Sequence, residues 1–199
     1  MVILLFPDMY TDKKTNHLYQ GDIFLKFEDD FFSTRDPEEI AYLVISYTCD
    51  IYLKKLNHIC FTPIFKFEKI VSGLIDENKK KKERSKFENA IIDRIDQIIN
   101  NNQPTSFFLS PNPIFDNQPV YSDLGQILYL EFEKKDKILN SRIKSLTNPW
   151  RERLGYKTGY LFNRVALPNI ERDTTIQYFK SNELVKAFIK QYYPPECCE

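Results

Sequence analysis

Ala41-Tyr42-Leu43-Val44-Ile45-Ser46-Tyr47-Thr48-Cys49-Asp50 is a nearly unbroken apolar, β-branched and aromatic run closed by a carboxylate. Such a run predicts a strand buried on both faces. On its N-terminal side, Tyr19 to Phe27 alternates, with Ile23, Leu25 and Phe27 on one face, as a half-buried strand does. On its C-terminal side, His58-Ile59-Cys60-Phe61-Thr62-Pro63-Ile64 is a third run of the same kind. These three segments predict a small sheet spanning Tyr19 to Phe65. The connection from Asp29 to Glu39 is acidic and contains Pro37, so it reads as a long loop.

A chain of 199 residues with 42% hydrophobic and 15% aromatic content can bury a core as one large domain. Only 5 glycines argue against a loop-rich or low-complexity protein. Lys+Arg and Asp+Glu each total 28, so the overall charge points to no partner. The charge is nevertheless segregated. Residues 134–168 hold nine positive and two negative side chains, and residues 19–50 hold two positive and eight negative ones. No stretch approaches the length of a membrane span, so no membrane partner and a cytoplasmic location are expected. Met1 to Phe6 is apolar but short for a signal peptide, and reads as a first strand. Four cysteines at this size do not make a disulfide framework.

Downstream, Phe87, Ile91, Ile95 and Ile98 recur at helical spacing and predict an amphipathic helix, ending at Asn100-Asn101-Asn102 before Pro104. A lysine-rich run from Lys79 to Lys86 precedes it. That run is either a solvated helix face or a phosphate-contacting patch. Four prolines between 104 and 119 frame a short Phe107-Phe108-Leu109 strand, and Val120 to Phe132 reads as another strand. Asn148-Pro149 is a helix start, with Trp150, Leu154, Leu161 and Val165 on one face. Gly155 and Gly159 would each cost such a helix about 1 kcal/mol. Ser181-Asn182-Glu183 caps a last amphipathic helix that Pro194-Pro195 stops.

Several standard chemistries are excluded by the absence of their motifs. There is no glycine-rich phosphate loop, no HExxH and no CxxC, and His17 and His58 are the only histidines. Ser46 lacks the flanking glycines of a nucleophile elbow. No metal and no cofactor are expected.

Gly21-Asp22-Ile23, a polar loop, the Leu43-Val44-Ile45-Ser46 strand and a following strand that reaches Thr62 together resemble the opening of MazF/PemK-type toxins. Ser46-x-Thr48-Cys49-Asp50-Ile51 is similar to a divergent, longer branch of that superfamily, and Ser122-Asp123-Leu124-Gly125-Gln126-Ile127 resembles its last barrel strand. The resemblance implies an α+β fold built on a small antiparallel SH3-like β-barrel, in one domain of residues 1–199. The barrel core would span about 19–132, with a helical insertion at 74–102 and a basic helical C-terminal cover at 134–193. It also implies a metal-independent endoribonuclease, an mRNA interferase cleaving single-stranded or ribosome-bound mRNA. Such a toxin is held inactive by an antitoxin-like partner and is commonly a homodimer. The family's typical Arg, at the start of the second strand, is replaced here by Ile40 and Ala41. Arg35 in the preceding loop is the nearest substitute, and Thr62 matches the Thr of the family's third strand.

If the 2′-hydroxyl of RNA is the nucleophile, the protein must take its proton, neutralise the phosphorane and protonate the leaving oxygen. Arg35, Thr62, Ser46 and Thr48 are candidates for the neutralising role, and His58 for proton transfer. Each also has a plain structural reading, as strand former, loop ion pair or strand end. Arg142, Lys144, Arg151, Arg153, Lys157 and Arg164, with Trp150, Tyr156 and Tyr160, mix cations and rings in the way that single-stranded RNA requires. Alternatively, Trp150 is core and the arginines meet the acidic loop, of the same chain or of a second copy. The displaced Arg also admits a catalytically silent barrel that binds protein, such as an anti-sigma-like regulator or a subunit of a CRISPR-linked antiviral defence system.

Overall fold

A computed structural model describes residues 6–12, 16–25, 36–163 and 172–192. Eight strands form one antiparallel, strongly curled sheet, a half-barrel, and helices pack against it in an α+β arrangement. The strands are β1 (Tyr10–Thr11), β2 (Asp22–Leu25), β3 (Ala41–Val44), β4 (His58–Lys66), β5 (Ser106–Leu109), β6 (Val120–Asp123), β7 (Leu128–Glu131) and β8 (Arg142–Leu146). Their order is β1-β8-β2-β3-β4-β6-β5. The nine-residue β4 also pairs β7, through residues His58 to Phe61.

β3 is buried on both faces, as its composition predicts. Ala41 and Leu43 join Ile23, Ile64 and Leu146 in one apolar cluster. Tyr42 and Val44 join Phe24, Ile59 and Phe61 in another. β2 differs from the half-buried expectation. Ile23 and Phe24 are both fully buried, and Leu25 is half exposed. The reason is that Phe24 turns to the second cluster and meets Phe61 edge-on at 6.0 Å. Gly21 supplies the turn into β2 with φ +85°, where a Cβ would meet Leu146 Cβ at 3.0 Å. Its amide donates to the Val44 carbonyl, and its carbonyl accepts from Leu146. The glycine therefore stitches β3 to β8.

The central run does not continue as a strand beyond Val44. Ser46 leaves the sheet, and Thr48–Tyr52 forms the short helix α1. The Ser46 hydroxyl accepts from the Cys60 amide at 2.8 Å, and the Thr48 hydroxyl accepts from the Gln20 amide at 3.1 Å. Long-range polar contacts thus replace the ladder.

The insertion is a helical hairpin that starts earlier than the sequence suggests. α2 (Phe67–Asn78) follows β4 directly, and α3 (Arg84–Ile99) carries Phe87, Ile91, Ile95 and Ile98 inward. The lysine run is the exposed connection and the first turn of α3. A third apolar cluster joins α2 and α3 to Phe65 and Phe108 of the sheet and to Tyr178, Phe179 and Val185. Those last three belong to α6 (Arg172–Ser181) and α7 (Glu183–Tyr192). The Asn182 side chain accepts from the Val185 amide at 3.2 Å, so the predicted cap is Asn182. α6 was not expected. Val120–Phe132 divides into β6 and β7 at a turn that the Asp123 carboxylate organises by accepting from Gly125. β7 ends in a 3-10 turn, Phe132–Lys134, followed by α4 (Lys135–Leu139). α5 (Asn148–Asn163) starts where Asn148-Pro149 predicts.

Met1 to Leu5, the loop residues 26–35 and residues 164–171 lie outside the described residues, so the first-strand, Phe27 and Val165 expectations are not placed.

Candidate functional site

Asp22 is the polar centre of the sheet. It is fully buried on β2. One carboxylate oxygen accepts from Arg142 Nη1 at 2.7 Å and from the Tyr19 amide at 2.8 Å; the other accepts from the Ser145 hydroxyl. Burial pushes the carboxyl up, against the downward pull of these hydrogen bonds and of the arginine. Arg142 Nη1 also donates to the carbonyl of His17 at 2.8 Å. This network fixes the segment from Asn16 to Gln20. Gln20 adds a bond from its side-chain amide to the Ile45 carbonyl at 3.0 Å.

Asn16 to Tyr19 form one wall of a cleft of about 390 Å³. Its other walls are α1 with the turn after it, and α4 with the 3-10 turn before it. His17 and Tyr52 face each other edge-on, with ring centroids 5.8 Å apart. Lys135 lies over the Phe132 ring at 5.2 Å. Tyr19 also lines the cleft, and Arg151 sits 5.1 Å from its ring centroid. Lys54 and Asp136 complete the charged rim. Tyr52 is 69% exposed and presents its ring to the cleft mouth beside His17. Rings and cations therefore converge on one concavity from three distant parts of the chain.

Of the residues singled out from the sequence, Thr62, Ser46 and His58 are placed elsewhere. Thr62 is fully buried on β4 and shares a short hydrogen bond with the Ser122 hydroxyl. Ser46 is buried and holds the Cys60 amide. His58 is exposed at the start of β4, opposite Glu131, with its ring 6.4 Å from that of Tyr129. Four residues of strand put His58 and Thr62 about 13 Å apart, so the structure does not bring these three into one site. Thr48 does line the cleft, with its hydroxyl engaged by Gln20. Arg35 and Arg164 lie outside the described residues.

The basic residues are drawn into internal bonds. Arg142 is buried against Asp22, and Lys144 pairs with Asp12. Arg151 donates to the Leu146 carbonyl at 3.1 Å, and Arg153 to the Asn100 carbonyl at 3.2 Å while stacking 4.9 Å from Trp150. Lys157 is 1% exposed and donates to the Asn101 carbonyl. Burial, helped by Arg153, pushes its amine down to about 8. A phosphate at these five residues would compete with partners already in place.

The chain matches no family model, no curated protein and no solved structure. Of the MazF/PemK expectation, the structure carries only the curled antiparallel half-barrel sheet with its helices.

His17, Tyr19, Tyr52, Lys54, Phe132 and Lys135 were missed as a site because no two of their three segments are neighbours in sequence. The mixed aromatic and cationic character of each segment was the available signal. Among the described residues, no group of three His, Cys, Asp or Glu is placed to hold a metal ion, and no helix is long and apolar enough to cross a membrane.

Proposed function

We propose that this protein binds single-stranded RNA in the cleft between the Asn16–Tyr19 segment, α1 and α4. The observation that carries the reading is the convergence of His17, Tyr52 and Phe132 with Lys54 and Lys135 on one concavity. Unstacked bases bind to rings, and the phosphates between them bind to cations that are not fully buried. A cleft of about 390 Å³ suits one or two nucleotide units.

Cleavage of the bound strand is a second reading, and His17 is the observation that favours it. Its imidazole lines the same cleft as Lys54, Lys135 and Asp136. An imidazole can take the proton of a 2′-hydroxyl attacking the adjacent phosphorus and, as imidazolium, return it to the 5′-oxygen as the P–O5′ bond breaks, leaving a 2′,3′-cyclic phosphate, while a lysine neutralises the phosphorane. This would be the interferase chemistry of a MazF-like barrel, carried by residues other than those the resemblance nominates.

Fluorescence anisotropy with a mixed-sequence single-stranded RNA tests binding. Tyr52→Ala should weaken it on the order of tenfold, which is what loss of one stacked base costs. Lys54→Glu with Lys135→Glu should also flatten its dependence on salt. Charge reversal at Lys80 and Lys82, in the connection between α2 and α3, should change much less. Equal losses from both double variants, or no binding by the wild type, would overturn the reading. Mapping RNA ends with wild type and His17→Ala separates binding from cleavage.

A further inference from the structure

A second cavity, of about 510 Å³, lies away from this cleft, between the first turn of α2, the loop from Pro111 to Pro119 and the α6–α7 junction. Its apolar walls are Phe6, Pro111, Pro119, Tyr178 and Leu184. Its charged lining is Glu68 and Glu183. Glu183 is paired with Lys186 at 2.7 Å. Glu68 differs. Its Oε2 is buried and has no hydrogen-bond partner among the described residues. The neighbouring cation, Lys69, is held by Asp36 at 2.6 Å and Glu38 at 2.8 Å on another surface. Asn182 makes its bonds elsewhere: its amide donates to the Tyr178 hydroxyl at 3.0 Å, and its carbonyl oxygen accepts from the Val185 amide. Glu68 also adds to the burial that pushes the Tyr178 phenol up.

A buried carboxylate oxygen without a donor is costly, and a charged donor satisfies it better than a neutral one. We propose that this cavity is a binding site for an organic cation, a guanidinium or ammonium group on an apolar stem. Glu68 receives the charge. Tyr178, Phe6 and the prolines enclose the stem, and the two rings favour a cation near their faces. The volume exceeds what water alone would need and lies in the range of small-ligand sites. The apolar walls and the one unpartnered carboxylate oxygen fit an organic cation better than a bare metal ion, which demands several oxygen ligands. The cation could come from a free small molecule or from the arginine or lysine of a bound peptide.

The test uses the whole chain and calorimetric titration with N-acetyl-arginine amide, set against its uncharged isostere N-acetyl-citrulline amide. The arginine derivative should bind, and the citrulline derivative should bind on the order of tenfold more weakly. Glu68→Gln should reduce arginine binding to the citrulline level. Leu184→Trp fills the cavity from an exposed position and should abolish binding, which keeps the test sound if Glu68→Gln fails to fold. Agmatine compared with an arginine-centred tripeptide then identifies the source. Tighter agmatine binding marks a free ligand, and tighter tripeptide binding marks a partner's side chain. Equal affinity for the arginine and citrulline derivatives, unchanged affinity in both variants, or no heat with any cation would overturn the site.

Discussion

Asp22 and Arg142 show how a charged pair can serve the fold and the cleft at once. Asp22 ties β2 to β8, and Arg142 carries the tie on to the His17 carbonyl. Asp22→Asn would leave the guanidinium buried without its counter-charge. The expected loss is about 3–5 kcal/mol, read as a drop in the urea midpoint. The double change Asp22→Asn with Arg142→Met removes the stranded charge and should recover part of that loss. If the double variant were no better than the single one, the ion pair would not be the cause. Lys157 makes a pH prediction of opposite origin. Its folded amine is pushed down to about 8, whereas a lysine in the unfolded chain keeps its proton to about 10.4. Between those values the unfolded state binds more protons, so the stability contribution of this group rises with pH. The wild type should therefore gain stability over Lys157→Met as pH is raised from about 8 toward 10. Parallel pH curves for the two proteins would show that Lys157 is not the titrating group.

At the scale of the element, α5 packs its two glycines toward the Gln20 segment and Tyr47. A Cβ on Gly155 would sit 3.2 Å from Gln20 Oε1 and 3.8 Å from the Tyr47 ring, and one on Gly159 would sit 3.8 Å from the Tyr47 hydroxyl. Gly155 lets the Gln20 side chain lie close against the helix, whereas a Cβ on Gly159 would make only ordinary contact and nothing in the structure requires glycine there. Gly155→Ala should be nearly neutral, because the nearest atom is the end of a flexible side chain and alanine favours the helix. Gly155→Leu must push Gln20 and Tyr47 aside. It should cost about 1–3 kcal/mol and weaken RNA binding by shifting Gln20 and, with it, the adjacent Tyr19 that lines the cleft. A leucine variant with wild-type stability and wild-type binding would refute that coupling. The same contrast between local and distant causes decided what the sequence revealed. β3, β4 and α3 were legible because apolar composition and spacing act within a dozen residues. β8 was not, because Arg142 and Lys144 read as solvent-facing cations until Asp22 and Asp12, more than 100 residues away, are set beside them. The switch from strand to α1 at Ser46 was hidden likewise, since it depends on hydrogen bonds from Cys60 and Gln20.

Across the whole molecule, the sheet and the helical layer are joined by one large apolar cluster, and the last two helices close it. Tyr178, Phe179 and Val185 are each at least 94% buried there. Tyr178 meets Phe67 edge-on with centroids 5.1 Å apart, at the point where β4 passes into α2. Burial of a large apolar side chain stabilises by about 1.5–3 kcal/mol, so these three together contribute on the order of 6 kcal/mol. That is comparable to the whole net stability of a typical domain, about 5–15 kcal/mol. A chain cut after Asn163 would leave Phe67, Phe87 and Ile95 without that cover. It should bind a hydrophobic dye, lose its near-ultraviolet circular dichroism and elute as aggregates, although the cleft residues are all retained. The full chain with Tyr178→Ala and Val185→Ala should fall between the two, with a thermal midpoint lowered by several degrees. If the shortened chain instead stayed monomeric, unfolded cooperatively and bound RNA with unchanged affinity, α6 and α7 would be an accessory layer. The organic-cation site, which they help to build, would then be separable from the fold as well as from the cleft.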